Sequence, residues 1–121
     1  MSRRTQKYSV TGATNALTLD GGIQSTEDEK IKLIGVYISA SALVGNTIEG
    51  WISQTRHVEI IDYVLRTHTA SGTNQYPDTN GMHYIPVDRD LEVGLAFKIG
   101  VNAGGTGSNI FGAYEFEVLN E

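Results

Sequence analysis

From Leu91 to Val101 every odd position is apolar (Leu91, Val93, Leu95, Phe97, Ile99, Val101), while Glu92, Gly94, Ala96, Lys98 and Gly100 fill the even ones. A two-residue period belongs to a β-strand with one face in a core and the other near water. Ile110 to Leu119 alternates too, with Ile110, Tyr114, Phe116 and Val118 on one side and Glu115 and Glu117 on the other. Between them Asn102-Ala-Gly-Gly-Thr-Gly-Ser-Asn109 offers turn chemistry and no apolar anchor beyond Ala103, so the pair reads as a hairpin.

The upstream segments carry the same period. Tyr8 and Val10, then Leu17 and Leu19, mark two short edge strands, the second closed by Asp20-Gly21-Gly22. Ile31 to Ser39 is apolar on both parities, with Ile31, Leu33, Gly35 and Tyr37 on one and Ile34, Val36 and Ile38 on the other. Such a strand is central, or another subunit covers its outer face. Thr47 to Gln54 places Ile48, Gly50 and Ile52 against Glu49, Trp51 and Ser53, so the lone tryptophan shares a face with polar residues. His57 to Thr67 fits helical spacing at Val58, Ile61 and Leu65 and strand spacing at Ile61, Tyr63 and Leu65; its β-branched content favours a strand. His68 to Met82 is a long polar loop with turn signals at Pro77-Asp78 and Asn80-Gly81, a kind of segment that is usually functional or holds an interface. Pro86 marks a sheet edge or a strand start. With about seven or eight strands and no helix, the expected fold is all-β, an antiparallel β-sandwich in jelly-roll form.

The 121 residues suit one domain: a short N-terminal arm at 1–10 that can add an edge strand, and a single sandwich over 11–121. Without cysteine, disulfides, thiolate metal sites and cysteine nucleophiles are excluded. No apolar run approaches the roughly 20 residues of a membrane helix, and the first residues are too polar for a secretory signal, so a product made in the cytoplasm and free of membrane is expected. The net charge of −5 is uneven: Arg3, Arg4 and Lys7 give the first seven residues +3 and leave the rest at −8. Such a body repels polyanions, and no specific nucleic acid is expected as a partner. The arm reads either as a solubilising, disordered tip or as a weak contact for nucleic acid or an acidic neighbour.

No residue set announces a reaction. Serines and threonines are plentiful, but none occupies a G-x-S-x-G elbow. His57, His68 and His83 lack the spacing of a preorganised metal pair, and no metal or cofactor is expected. Asp88, Asp90 and Glu92 could suggest calcium; Arg89 intervenes and the turn glycine is missing, so they read as the wet side of the strand that begins at Leu91. Glu115 and Glu117 read likewise as a wet face rather than a glycosidase pair. Gly104 to Gly107 precede a strand, not a helix N-terminus, and therefore serve turn geometry rather than phosphate binding. Trp51, Tyr37, Tyr76 and Tyr84 could stack on sugars, and Trp51 could equally be covered by the chain's own loops or sit at a subunit contact.

The stretch Tyr84-Ile-Pro-Val-Asp-Arg-Asp-Leu-Glu-Val-Gly94, continuing through Leu95 to Val101, the Gly/Asn loop and Phe111-Gly-Ala-Tyr-Glu-Phe-Glu-Val-Leu119, resembles the closing strands of small jelly-roll proteins on virus particles. These are the cement and decoration proteins of phages and archaeal viruses. The resemblance implies a non-enzymatic virion protein that forms trimers or other cyclic assemblies and lays its N-terminal arm along a major capsid protein. The contacts it would use are expected on the arm (Arg3, Arg4, Lys7, Tyr8), on an outer face around Val36, Ile38 and Trp51, and at Tyr76 in the long loop. The alternative is a carbohydrate- or receptor-binding module that uses Trp51 and the 68–82 loop.

Overall fold

Phe97, Ile99 and Val101 on one sheet meet Leu33, Val36, Ile38, Ile110 and Tyr114 on another, all at 0 % exposure. The computed structural model describes residues 2–67, 79–80 and 83–120. Its strands are β1 (Ser2–Thr11), β2 (Leu17–Leu19), β3 (Ile23–Gln24), β4 (Ile31–Ala40), β5 (Thr47–Ile52), β6 (Thr55–Ile61), β7 (Arg66–Thr67), β8 (Thr79–Asn80), β9 (His83–Asp90), β10 (Ala96–Asn102) and β11 (Asn109–Val118). The first sheet runs β1-β11-β4-β9 and the second β2-β10-β5-β6, with β3 also on β10 and a separate β7–β8 ladder. Every pairing is antiparallel. The chain passes from one sheet to the other after β1, β3, β4, β6, β9 and β10, and its first strand pairs with its last. This strand order, two Greek keys wrapped over two sheets, is the jelly roll.

The Leu91–Val101 alternation is not one strand. β9 ends at Asp90, and the chain turns before β10 starts at Ala96. Leu95 N–H closes the turn on the Glu92 carbonyl at 2.9 Å, and Gly94 takes a φ of +93°, a backbone that side chains rarely adopt. Leu91 keeps core parity because its own N–H is held by the Ile31 carbonyl, whereas Val93 is 44 % exposed. Asp88 and Asp90 therefore close a strand of the first sheet rather than lining the wet side of β10, and Lys32 Nζ lies 3.3 Å from Asp88.

The hairpin expectation fails for a related reason. β10 and β11 lie in opposite sheets, so Asn102–Asn109 is an arch between layers. Asn46, 4 % exposed, holds this arch: its amide donates to Thr106 O and Ser108 Oγ, and its carbonyl accepts from Gly104 N–H. Asn46 is itself fixed by Asp62, whose carboxylate accepts the N–H groups of Val44, Gly45 and Asn46. That demand on Asp62 ends β6, and Asp62–Leu65 form a 3-10 turn instead of prolonging the strand expected over 57–67.

β4 explains its two apolar parities without a second subunit. Glu115 and Phe116 are adjacent on β11, but they pair with Gly35 and Leu33, which leaves Ile34 as an extra residue. A bulge of this kind reverses which parity faces inward. Ile31 and Leu33 point into the core before it, and Val36, Ile38 and Ala40 after it. Val36 and Ile38, expected on an outer contact face, are thus core residues.

The N-terminal arm is laid down as an edge strand. Ser2 to Thr11 pair with β11 in one unbroken register, from Ser2↔Val118 to Thr11↔Asn109. No alternation marks residues 3–7 because both of their faces meet water; only Tyr8 and Val10 of this strand reach the core.

Phe97→Asp is expected to abolish cooperative unfolding, since an unpaired charge at 0 % exposure costs several kcal/mol of a typical total of roughly 5–15 kcal/mol. Thermal melting followed by circular dichroism tests this; an unchanged transition would contradict the placement of β10.

Candidate functional site

Alternation along the first sheet sends Lys7, Ser9, Tyr37, Tyr84, Phe111, Glu115 and Glu117 to its outer face. Phe111 is 42 % and Tyr37 37 % exposed, and such side chains are enriched at protein interfaces. Tyr37 and Tyr84 are cross-strand partners with ring centroids 4.7 Å apart. Tyr84 then lies across Gly35 and donates its hydroxyl to Glu115 Oε1 at 2.8 Å. A Cβ on Gly35 would collide with that hydroxyl, so the glycine is what lets the ring lie flat on the sheet.

β1 borders this face. Arg3 donates to Glu117 at 3.2 Å and Arg4 to Glu29 at 2.8 Å, both as exposed pairs. Lys7 forms no ion pair among the described residues. It lines a groove of about 540 Å³ with Tyr8, Ser9, Asp20, Phe111 and Gly112. Tyr8, expected as a surface contact, is only 5 % exposed: its ring packs 5.0 Å from that of Tyr114 and its hydroxyl donates to the Tyr37 carbonyl. Burial pushes the phenols of Tyr8 and Tyr114 far above the usual tyrosine range, with the charge of Asp20 adding to the shift in both.

Trp51 stands apart, on the outer face of the second sheet. Its Nε1–H donates to Glu49 Oε1 at 2.8 Å, while Asn102 Nδ2 donates to Glu49 Oε2 at 3.1 Å. Arg56 lies 3.9 Å from the same carboxylate and 3.1 Å from Glu59. Glu49 is 2 % exposed and satisfied, so this cluster ties β5, β6 and β10 together, and Trp51 is half-buried as part of it.

The structure thus brings Arg3, Arg4, Lys7 and Tyr8 together along one edge, buries Val36 and Ile38, and separates Trp51 from all of them. Tyr76 and most of the 68–82 loop lie outside the described residues. Among the described residues no three His, Cys, Asp or Glu side chains gather to hold a metal. From the sequence, Phe111 is not named as a contact residue, Glu115 reads only as part of a wet face, and Asp20 only as part of a turn. Phe111 carried a readable signal, since it shares parity with Glu115 and Glu117 as Trp51 does with Glu49. No protein-family model, curated protein or solved structure matches this chain.

Desolvation, followed by the hydrogen bond to Glu115, raises Tyr84 from the ordinary 10.0 to about 12. A raised phenol pKa adds stability that is fully present below about pH 10 and is lost as the pH rises through about 12. The melting temperature of the wild type is expected to exceed that of Tyr84→Phe at neutral pH and to lose that margin across this alkaline window. A margin independent of pH would contradict the Tyr84–Glu115 contact.

Proposed function

We propose that this chain is a non-enzymatic structural protein of a virus particle, a capsid cement, decoration or minor capsid component that acts through protein–protein contacts with itself and with a major capsid protein. The observation that carries the reading is the outer face of the first sheet. There Phe111 and Tyr37 stay exposed beside Tyr84, and the face runs without a break to the edge strand β1. Aromatic side chains left in water on a flat sheet gain most when a partner covers them. The jelly roll adds support by analogy, because capsid proteins are among its hosts, although lectins and cupins are too.

The carbohydrate reading has less support. The N–H of Trp51 is committed to Glu49, and the loop meant to complete that site lies outside the described residues.

Light scattering on the purified protein is expected to give a homo-oligomer, and mass spectrometry of virus particles from cells that make the chain is expected to find it in fixed proportion to the capsid subunit. A strict monomer that is absent from particles would overturn the proposal. If such a monomer bound a glycan array and lost that binding in Trp51→Ala, the carbohydrate reading would replace it.

A further inference from the structure

Three turns meet at one end of the second sheet, and each holds a residue in the left-handed backbone region. Gly22, between β2 and β3, has a φ of 82°; Gly94, between β9 and β10, one of 93°; and Ser53, between β5 and β6, one of 55°. Glycine takes such angles without steric cost, whereas serine is strained there. Ile52 pairs with Thr55, so Ser53 and Gln54 make up the whole turn. Strained residues of this kind cluster at ligand sites. The three turns wall a cavity of about 340 Å³, a size at the lower end of small-molecule sites. Hydrogen bonds fix its walls: Gly94 N–H donates to Ser25 O at 2.8 Å, Ser25 N–H to Leu95 O at 3.1 Å, and Gln24 Nε2 to Gly94 O at 3.1 Å. The stem of Lys98 lies over Gly22, where a Cβ would meet Lys98 Cγ at 2.7 Å. The lining is therefore shaped in advance, yet its polar ends are unused. Among the described residues Lys98 forms no ion pair, and the Ser53 hydroxyl and Gln24 Oε1 make no hydrogen bond.

We infer that this cavity binds the carboxylate of a sugar acid, either free or at the end of a glycan. Charge sets the sign: Lys98 is the one charged side chain among the lining residues, and no carboxylate lines the cavity to answer it. A single ammonium matches a carboxylate, whereas a phosphate carries more charge and calls for further cations or a nest of N–H groups. Arg56, which also reaches the outer face of this sheet, is already held between Glu49 and Glu59. The remaining groups suit a hydroxyl-bearing ring. Ser53 Oγ donates or accepts, Gln24 Oε1 accepts, and Leu95 and Ala96 offer an apolar surface to its C–H side. The strained turn then has a use, because it holds the Ser53 hydroxyl in the lining. The site shares no residue with the outer face of the first sheet and uses neither Trp51 nor the 68–82 loop, so the particle and carbohydrate readings stand or fall apart from it.

The test titrates the isotope-labelled full chain, at constant ionic strength, with glucuronate, its methyl ester, acetate and a glucuronate-terminated oligosaccharide, and follows backbone amide shifts by NMR. Glucuronate is expected to move the amides of Gln24, Ser53, Gly94 and Lys98 along a saturating curve with a Kd of about 1 mM. The methyl ester and acetate should each bind about fivefold more weakly, and Lys98→Gln should weaken glucuronate about fivefold. Ser53→Gly should weaken it by a similar factor while melting no lower than the wild type, since glycine relaxes the turn as it removes the hydroxyl. Binding of the oligosaccharide at least as tightly as the free acid assigns the site to a glycan end; binding of the free acid alone assigns it to a small metabolite. Shifts that never saturate, equal binding of the methyl ester or of acetate, or a Lys98→Gln or Ser53→Gly protein that binds as the wild type does would overturn the inference.

Discussion

The phenol of Tyr114 accepts a hydrogen bond from Ile99 N–H on the opposite sheet at 3.2 Å and donates one to Asp20 at 2.7 Å, and both layers are aligned by that junction. Its ring meets Tyr8 at 5.0 Å and Phe97 edge-on at 6.0 Å, so β1, β10 and β11 share one aromatic centre. A buried phenol is tolerated only when its hydroxyl is partnered, and here the partner also organises the chain, because Asp20 accepts Gly22 N–H where β2 gives way to β3. Burial, with the charge of Asp20 adding to it, pushes both phenols well above the usual tyrosine range, so each stays protonated at ordinary pH.

That centre also explains why the first strand is docked. Tyr8 and Val10 enter the core from an otherwise polar segment, and the Tyr8 hydroxyl reaches over β11 to the Tyr37 carbonyl on β4. Two anchors near its C-terminal end and a continuous backbone ladder hold a strand whose first residues have no core to enter. Arg3 and Arg4 add exposed pairs to Glu117 and Glu29, each worth little by itself. The result is a long, regular strand, held along its β11 flank, next to an exposed aromatic face.

Much of the sandwich was legible in the sequence because alternation reports a two-faced sheet directly. It read β11 residue by residue: Ile110, Tyr114, Phe116 and Val118 are the inward set. It placed Trp51 with Glu49 on the outside of β5, and Pro86 on an edge strand. It misled wherever the backbone departed from a plain pleat. The turn at Gly94 joins two segments that happen to keep phase, and the bulge at Ile34 makes one inward face look like two. Polar anchors were invisible for another reason. Asp62 reaches residues 16 to 18 positions away, Asn46 reaches Thr106 and Ser108, and Asp20 meets Tyr114 across 94 positions. No local pattern encodes such partners. The candidate contact surface was half readable: the basic residues of the first segment stood out, but only pairing with β11 turned them into an edge.

Amide hydrogen exchange along Ser2–Thr11 tests most directly whether the first segment is a docked strand with an open side. In a strand paired on one flank, successive N–H groups point alternately to the neighbour and to solvent. The account predicts protection at every second amide from Arg3 to Val10 and rapid exchange at those between. Rapid exchange throughout would mean an undocked arm, and protection throughout would mean an edge already covered; either result would contradict it.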